Sequence, residues 1–281
     1  MPSIRAGDVA LHYEESGRGA PVLLIAGTAA RGRTWWLHQV PALVGAGYRA
    51  ITPDNRGVGQ SGPAKPGLSV ADLVADAVAV IEQVAVIEQV AGIEQVAGGR
   101  CRLIGTSMGA YVVQELLLAR PDLVSQAVLM AGRARPDAVS LALAAADRAM
   151  ADAGVTLPPE YDAVNRALQN LSPRTLADPE SAQDWLDILE MSPTDWTDQG
   201  QRPQLDVIVD TDRRAAYAGI RVPTLVLSFA DDLVVPVARG RELAAAIPGA
   251  RYVQVADAGH YGYLEQPEAV NGAILEFFAH A

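Results

Sequence analysis

The chain has 281 residues, half of them hydrophobic, enough to bury a substantial interior as one large domain or as a core with an insertion. Its formal charge of −11 leaves no basic footprint for nucleic-acid phosphates, which removes DNA and RNA as partners. Arg5 and Asp8 interrupt the N-terminal segment where a signal peptide needs an apolar core. No window reaches the ~18 apolar residues of a membrane span, so a cytoplasmic protein without membrane association is expected. Cys101 stands alone, which rules out an intrachain disulfide and cysteine-pair metal spacings and makes a core thiol its expected role.

IRAGDVALHYEE (residues 4–15) predicts a hairpin turning at Ala6-Gly7-Asp8, and PVLLIAG (21–27) and YRAITPD (48–54) predict buried strands. Ser69 and Asp72 form a capping box, after which Val70, Leu73, Val74, Ala77, Val78, Ile81, Val84 and Ala85 make one apolar stripe at helical spacing. IEQVA then recurs at 81–85, 87–91 and 93–97. Six residues advance a helix by about 600°, so each copy turns its apolar side by about a third of a circle, and Glu88 falls on the stripe. The period is too short for a solenoid repeat. An internal duplication that lengthens the helix accounts for it. A bend near Gly92 and docking of the rotated face on a partner chain, a homo-oligomer included, both remain open, and no chemistry attaches to the repeat.

CRLIGT (101–106), SQAVLMA (125–131), PTLVLSF (223–229) and ARYVQVA (250–256) complete the strand series. Strands separated by helical segments imply right-handed crossovers and a mostly parallel sheet flanked by helices, an α/β protein. Between 133 and 220 helical patterns replace the strands: VSLALAAADRAMADAG with Gly154 as its stop, YDAVNRALQNL and SAQDWLDILEM, joined by LPPE and LSPR. This stretch predicts a helical cap, or lid, inserted between two core strands, with the core formed by 1–132 and 221–281.

LIGTSMGAY (103–111) sets Ser107 between Gly105 and Gly109, after a buried strand and before the helical MGAYVVQELLLAR. In that context G-x-S-x-G is a nucleophile elbow, where a strained turn lifts the serine oxygen above the sheet. The helix N-terminus aims at the same place, which makes the Met108 amide a candidate donor to a developing oxyanion. A serine hydroxyl also needs a base. His12 lies in the hairpin, His38 follows Trp35-Trp36, and His280 is one residue from the end. His260 differs, because it follows the last strand, and Gly259 lets its loop bring the imidazole over the carboxyl ends of the strands. SFADDLVVP offers Asp231 and Asp232 at another strand end as orienting carboxylates, and only one of the two neighbours can face the imidazole.

The Ser, Asp, His order, the elbow, DNRGVGQS after the strand at 48–54, the acid loop ending in Pro236, and GHYGYLEQPE together resemble the α/β-hydrolase superfamily over nearly the whole chain. The resemblance implies an acid four residues before Pro236, namely Asp232, and a second oxyanion amide from the residue after Gly27, namely Thr28. LLIAGTAARG departs from the pattern, with Ala26 where the superfamily usually carries histidine, so the loop's shape and Ala29 as an alternative donor stay open. Asp54 and Arg56 match a structural motif of the superfamily.

The function so implied is a serine hydrolase of carboxylesterase type, cleaving an ester-like bond of a small molecule through an acyl-enzyme, with no metal or organic cofactor. A serine at the elbow separates it from dehalogenase and epoxide-hydrolase relatives, which place aspartate there. Trp35 and Trp185 are the candidate substrate-binding residues, and Trp185, Leu186 and Leu189 point to a moderately hydrophobic substrate. The run from GRTWW to DNRG is also similar to members found beside polyketide pathways. That likeness implies two alternatives, a tailoring lyase that eliminates an acyl group with His260 as base and a C–C bond hydrolase. A non-catalytic ligand receptor is the reading from a different class.

Overall fold

A computed structural model of the protein describes residues 3–90, 100–192 and 200–280. β1 (Ser3–Ala6) and β2 (Val9–Gly17) form the expected hairpin, turning through Gly7 at φ 59°. β3 (Pro21–Ile25), β4 (Arg49–Pro53), β5 (Cys101–Thr106), β6 (Val124–Met130), β7 (Thr224–Phe229) and β8 (Arg251–Val255) follow. Among the described residues they make one 8-stranded sheet in the order β1-β2-β4-β3-β5-β6-β7-β8. β2 pairs antiparallel with both β1 and β4, and every other neighbouring pair is parallel.

The first crossovers carry α1 (Gln39–Gly45), α2 (Val70–Val90) and α3 (Met108–Ala119). Between β6 and β7 run α4 (Ala138–Asp152), α5 (Pro159–Asn170), α6 (Pro173–Ala177), α7 (Pro179–Met191) and α8 (Arg214–Tyr217), with no strand among the described residues of this stretch. α9 (Val237–Ala246) leads to β8, and α10 (Gly262–Glu265) and α11 (Pro267–Ala279) close the fold. Strand alternation sorts the core into two layers. Leu23, Leu103 and Leu129 pack with residues of α2 and α3, while Leu24, Ile104 and Val128 pack with residues of α1 and α11. Each such side chain, fully buried, contributes about 1.5–3 kcal/mol of transfer free energy.

The helix starts are chemically explicit. Ser69 N–H donates to Asp72 Oδ2 at 2.9 Å and Asp72 N–H to Ser69 Oγ at 3.3 Å, closing the capping box before α2. Leu73, Val74, Ala77 and Ile81 of the predicted stripe are buried, and so is Val80, which the stripe omits, because α2 packs against both β1 and α3. The rest of the IEQVA repeat beyond Val90, with Gly92, lies outside the described residues. Asp137, Ser172 and Asp178 cap α4, α6 and α7, the last two ahead of a proline. Gly154, at φ 65°, follows the end of α4 as its position in the sequence predicts. Among the described residues no helix is long and apolar enough to cross a membrane.

Candidate active site

Ser107 stands between β5 and α3 at φ 54° and ψ −118°, a conformation L residues rarely adopt. Strain of this kind costs on the order of 1–3 kcal/mol and persists where the surroundings enforce it. A Cβ on Gly105 would overlap the Gly109 carbonyl, and one on Gly109 would overlap the Ile25 carbonyl at the end of β3. The two glycines therefore let β5, α3 and β3 close on the turn. The Ser107 amide donates to Met130 O at 3.0 Å, pinning the turn to the end of β6.

Asp232 follows β7 and is buried. Its Oδ1 accepts from the amides of Val234 at 2.9 Å and Val235 at 2.8 Å, and its Oδ2 lies 2.9 Å from His260 Nδ1. A carboxylate only accepts, so Nδ1 carries the proton and Nε2 is the basic atom of the neutral ring. The Asp231 side chain makes no hydrogen bond among the described residues; its backbone amide donates to Ala258 O at 2.9 Å. Of the neighbouring carboxylates the structure brings Asp232 to the imidazole. His12, His38 and His280 line no part of the cavity that holds Ser107.

The His260 loop is fixed by a carboxylate that sequence reasoning missed. Glu265 in α10 accepts from the Gly259 amide at 2.7 Å, the Ser172 amide at 2.8 Å and Thr175 Oγ1 at 2.6 Å. The Tyr261 amide donates to Asn170 O at 3.0 Å, and a Cβ on Gly259 would overlap that same carbonyl. The loop after β8 and the ends of α5 and α6 are thus one hydrogen-bonded unit.

The loop after β3 runs beside the elbow, so close that a Cβ on Gly27 would lie 3.4 Å from Ser107 Cβ. The Ala29 amide is committed, donating to Gln204 Oε1 at 2.7 Å, and Gln204 Nε2 donates to Arg56 O at 2.7 Å. The amides of Thr28 and Met108 have no partner among the described residues. Gln204, buried in the turn Arg202–Asp206, gives the loop its shape in the absence of the usual histidine. Only a contact 175 residues long in sequence reveals this role.

Thr28, Ser107, Met108 and His260 border one cavity of about 580 Å³, whose wall α4 and α5 complete through residues such as Met150 and Asn165. Burial pushes the phenols of Tyr111, Tyr261 and Tyr263, also in the wall, above their ordinary range and keeps them neutral. Trp35 and Trp185 are corrected. Trp35 is fully buried in the core with its ring 4.9 Å from that of Tyr263, and Trp185 packs with Leu186 and Leu189 and stacks at 6.2 Å on Tyr261. Neither tryptophan lines the cavity, and neither do Leu186 and Leu189. The tyrosines stand between the tryptophans and the space. Among the described residues no group of three or more His, Cys, Asp or Glu side chains is arranged to hold a metal ion.

The sequence pattern of the alpha/beta hydrolase family matches residues 22–273. The chain belongs to this family. Within it, the chain is similar to BpoC of Mycobacterium tuberculosis strain H37Rv, named as a non-heme bromoperoxidase, at 46% identity over 269 residues, 96% of this chain and 97% of BpoC. The crystal structure of BpoC superposes with a TM-score of 0.87, covering 96% of this chain and 95% of that one. RutD of Klebsiella pneumoniae strain 342, named as a carbamate hydrolase, is 31% identical over 93% of this chain and 92% of its own. The enol-lactonase structure from Burkholderia xenovorans LB400 superposes with a TM-score of 0.77 at 25% identity, covering 99% of this chain and all of that one, 100%. The alpha/beta hydrolase fold, with its mostly parallel sheet flanked by helices, is common to the set.

Proposed function

We propose that this alpha/beta hydrolase cleaves an ester-like bond of a small molecule through a serine acyl-enzyme. The observation that carries the reading is the 2.9 Å contact of Asp232 with His260 Nδ1, with His260 bordering the same cavity as the strained Ser107. Asp232 holds the imidazole in the tautomer whose Nε2 is basic, and His260 takes the Ser107 proton as Oγ attacks the carbonyl. The free amides of Met108 and Thr28 receive the oxyanion, worth about 3 kcal/mol for each donor in place. His260 returns the proton to the leaving group, and water, deprotonated by the same imidazole, releases the acid and restores Ser107. Residues 133–220 serve as the lid over a core of 1–132 and 221–281, since α4 and α5 wall the cavity. The relatives named as a carbamate hydrolase and an enol-lactonase support acyl chemistry.

The test is covalent labelling. A serine-directed fluorophosphonate is expected to modify Ser107 and no other residue, and Ser107→Ala is expected to cut hydrolysis of 4-nitrophenyl acetate by several orders of magnitude. Full labelling at another site, or an undiminished rate in the variant, would overturn the mechanism.

The relation to BpoC favours a second fate for the same intermediate. Hydrogen peroxide attacking the acyl-enzyme in place of water would release a peracid and free Ser107, and the peracid would oxidise bromide to hypobromite while becoming the carboxylic acid. Bromination that requires peroxide, an ester as acyl donor and bromide together, and is lost in Ser107→Ala, is the expected signature. Bromination that survives in that variant would exclude this route.

A further inference from the structure

Arg133 lies three residues past the end of β6 and borders the cavity that holds Ser107 and His260. Its Nη1 is buried without a hydrogen-bond partner, and the guanidinium forms no ion pair among the described residues. The nearby carboxylates of Asp137 and Asp232 act on it through space but make no direct ion pair with it. Asp232 Oδ1 takes two amides and its Oδ2 faces His260, while Asp137 Oδ1 caps α4 at Ser140 and its Oδ2 lies 3.8 Å from Arg239 Nε. Gln114 Nε2 donates to the Arg133 carbonyl at 3.0 Å and holds the backbone in place.

A guanidinium taken out of water without a counter-charge is costly, and proteins ordinarily pair it. Here one nitrogen of the guanidinium has no partner, and the residue itself borders the space beside Ser107. Other charged groups of the cavity wall do not fill that role: Asp162 is paired with Arg166 at 2.8 Å, and burial pushes the Asp147 carboxyl above its usual range. Arginine stays charged under such burial and presents a planar fork matched to a carboxylate.

We infer that Arg133 is the anion subsite of this cavity and that the substrate carries a carboxylate near its scissile bond. The inference rests on the acyl-transfer reading of Ser107 and narrows the substrate class to anionic esters. Arg133 is then a specificity-determining residue that binds substrate and takes no part in bond breaking. The arginine supplies the counter-charge that distinguishes such a substrate from a neutral ester of equal size.

Two ester pairs test it, one for each side of the scissile bond. 4-Nitrophenyl hemiglutarate is compared with 4-nitrophenyl 5-methylhexanoate, and 4-carboxyphenyl acetate with 4-isopropylphenyl acetate. In at least one pair Arg133→Gln is expected to lower the anionic-to-neutral ratio of kcat/KM by about tenfold or more, chiefly through KM, as loss of one charge-assisted hydrogen bond implies. Arg133→Lys keeps part of the ratio. Arg135→Gln, whose side chain pairs with Glu242 at 2.7 Å outside the cavity wall, keeps all of it. An unchanged ratio in both pairs, or an equal fall for anionic and neutral esters, overturns the assignment.

A binding arm separates this failure from failure of the hydrolase reading. Glutarate and benzoate, titrated calorimetrically into Ser107→Ala protein, are expected to bind about tenfold tighter than into the Ser107→Ala/Arg133→Gln protein. Equal affinity sinks the subsite even where esters turn over. A difference in affinity without any ester turnover by the wild-type protein sinks the serine mechanism and leaves the subsite standing.

Discussion

Asp231 and Asp232 show what a single position can and cannot disclose. Side chains alternate at a strand end, so the sequence states that one of the two faces the imidazole but not which, and resemblance alone chose Asp232. The structure supplies the physical reason: two backbone amides and the His260 ring converge on the Asp232 carboxylate, and none of them reaches Asp231. Replacing Asp232 by Asn offers an amide nitrogen to groups that are themselves donors and favours the wrong imidazole tautomer. Asp232→Asn is expected to lower kcat by about 10⁴-fold, as loss of the orienting carboxylate does in a serine triad, while Asp231→Asn stays within about threefold of wild type. Steady-state hydrolysis of 4-nitrophenyl acetate checks both. A larger loss at Asp231 would transfer the role to it. The tryptophans mark the opposite limit, since a large aromatic residue reads the same in sequence whether it faces a cavity or backs the tyrosine that does.

At the scale of elements the pattern carried further. Seven strand segments were legible from their apolar runs, and α4, α5 and α7 from helical patterns set between proline joints, because these signals are local; α6 was not, since it begins within LSPR, which reads as a joint. The G-x-S-x-G spacing was legible for the same reason, although its cause is tertiary: Gly109 has no Cβ because the Ile25 carbonyl of β3 occupies that position. Gly109→Ala is therefore expected to force β3 and α3 apart and to destabilise the fold by about 1–3 kcal/mol, the range for overpacking a close contact. Denaturant unfolding measures this directly, and Ser107→Ala is the control, since it removes the neighbouring hydroxyl without adding volume. An undiminished unfolding midpoint in Gly109→Ala would show that the turn has room the geometry denies. The breadth of α2's buried face was not legible, because a stripe assumes one packing partner and α2 has two, β1 and α3.

Across the whole molecule, chemistry is assembled by topology. Thr28, Ser107, Asp232 and His260 follow β3, β5, β7 and β8, strands that belong to one parallel run of the sheet, so residues remote in sequence share the carboxyl edge where ligands bind in open α/β sheets. The sequence order of strands and turns is enough to expect that edge. It is not enough to expect Gln204, which joins the stretch between β6 and β7 to two core loops, accepting from Ala29 N–H and donating to Arg56 O. The consequence is specific. Gln204→Leu leaves one amide and one carbonyl unpaired in a buried setting, frees the Ala29 amide to compete with that of Thr28, and lets the loop beside Ser107 relax. kcat is expected to fall by about a hundredfold, the scale of one displaced oxyanion donor, with fluorophosphonate labelling of Ser107 slowed but retained. Stability is expected to fall by about 1–3 kcal/mol through the unsatisfied polar groups. Stopped-flow acylation and thermal unfolding separate the two effects. A variant that loses stability yet acylates at the wild-type rate would mean that Gln204 braces the fold without shaping the oxyanion loop, and that the Thr28 amide holds its place without it.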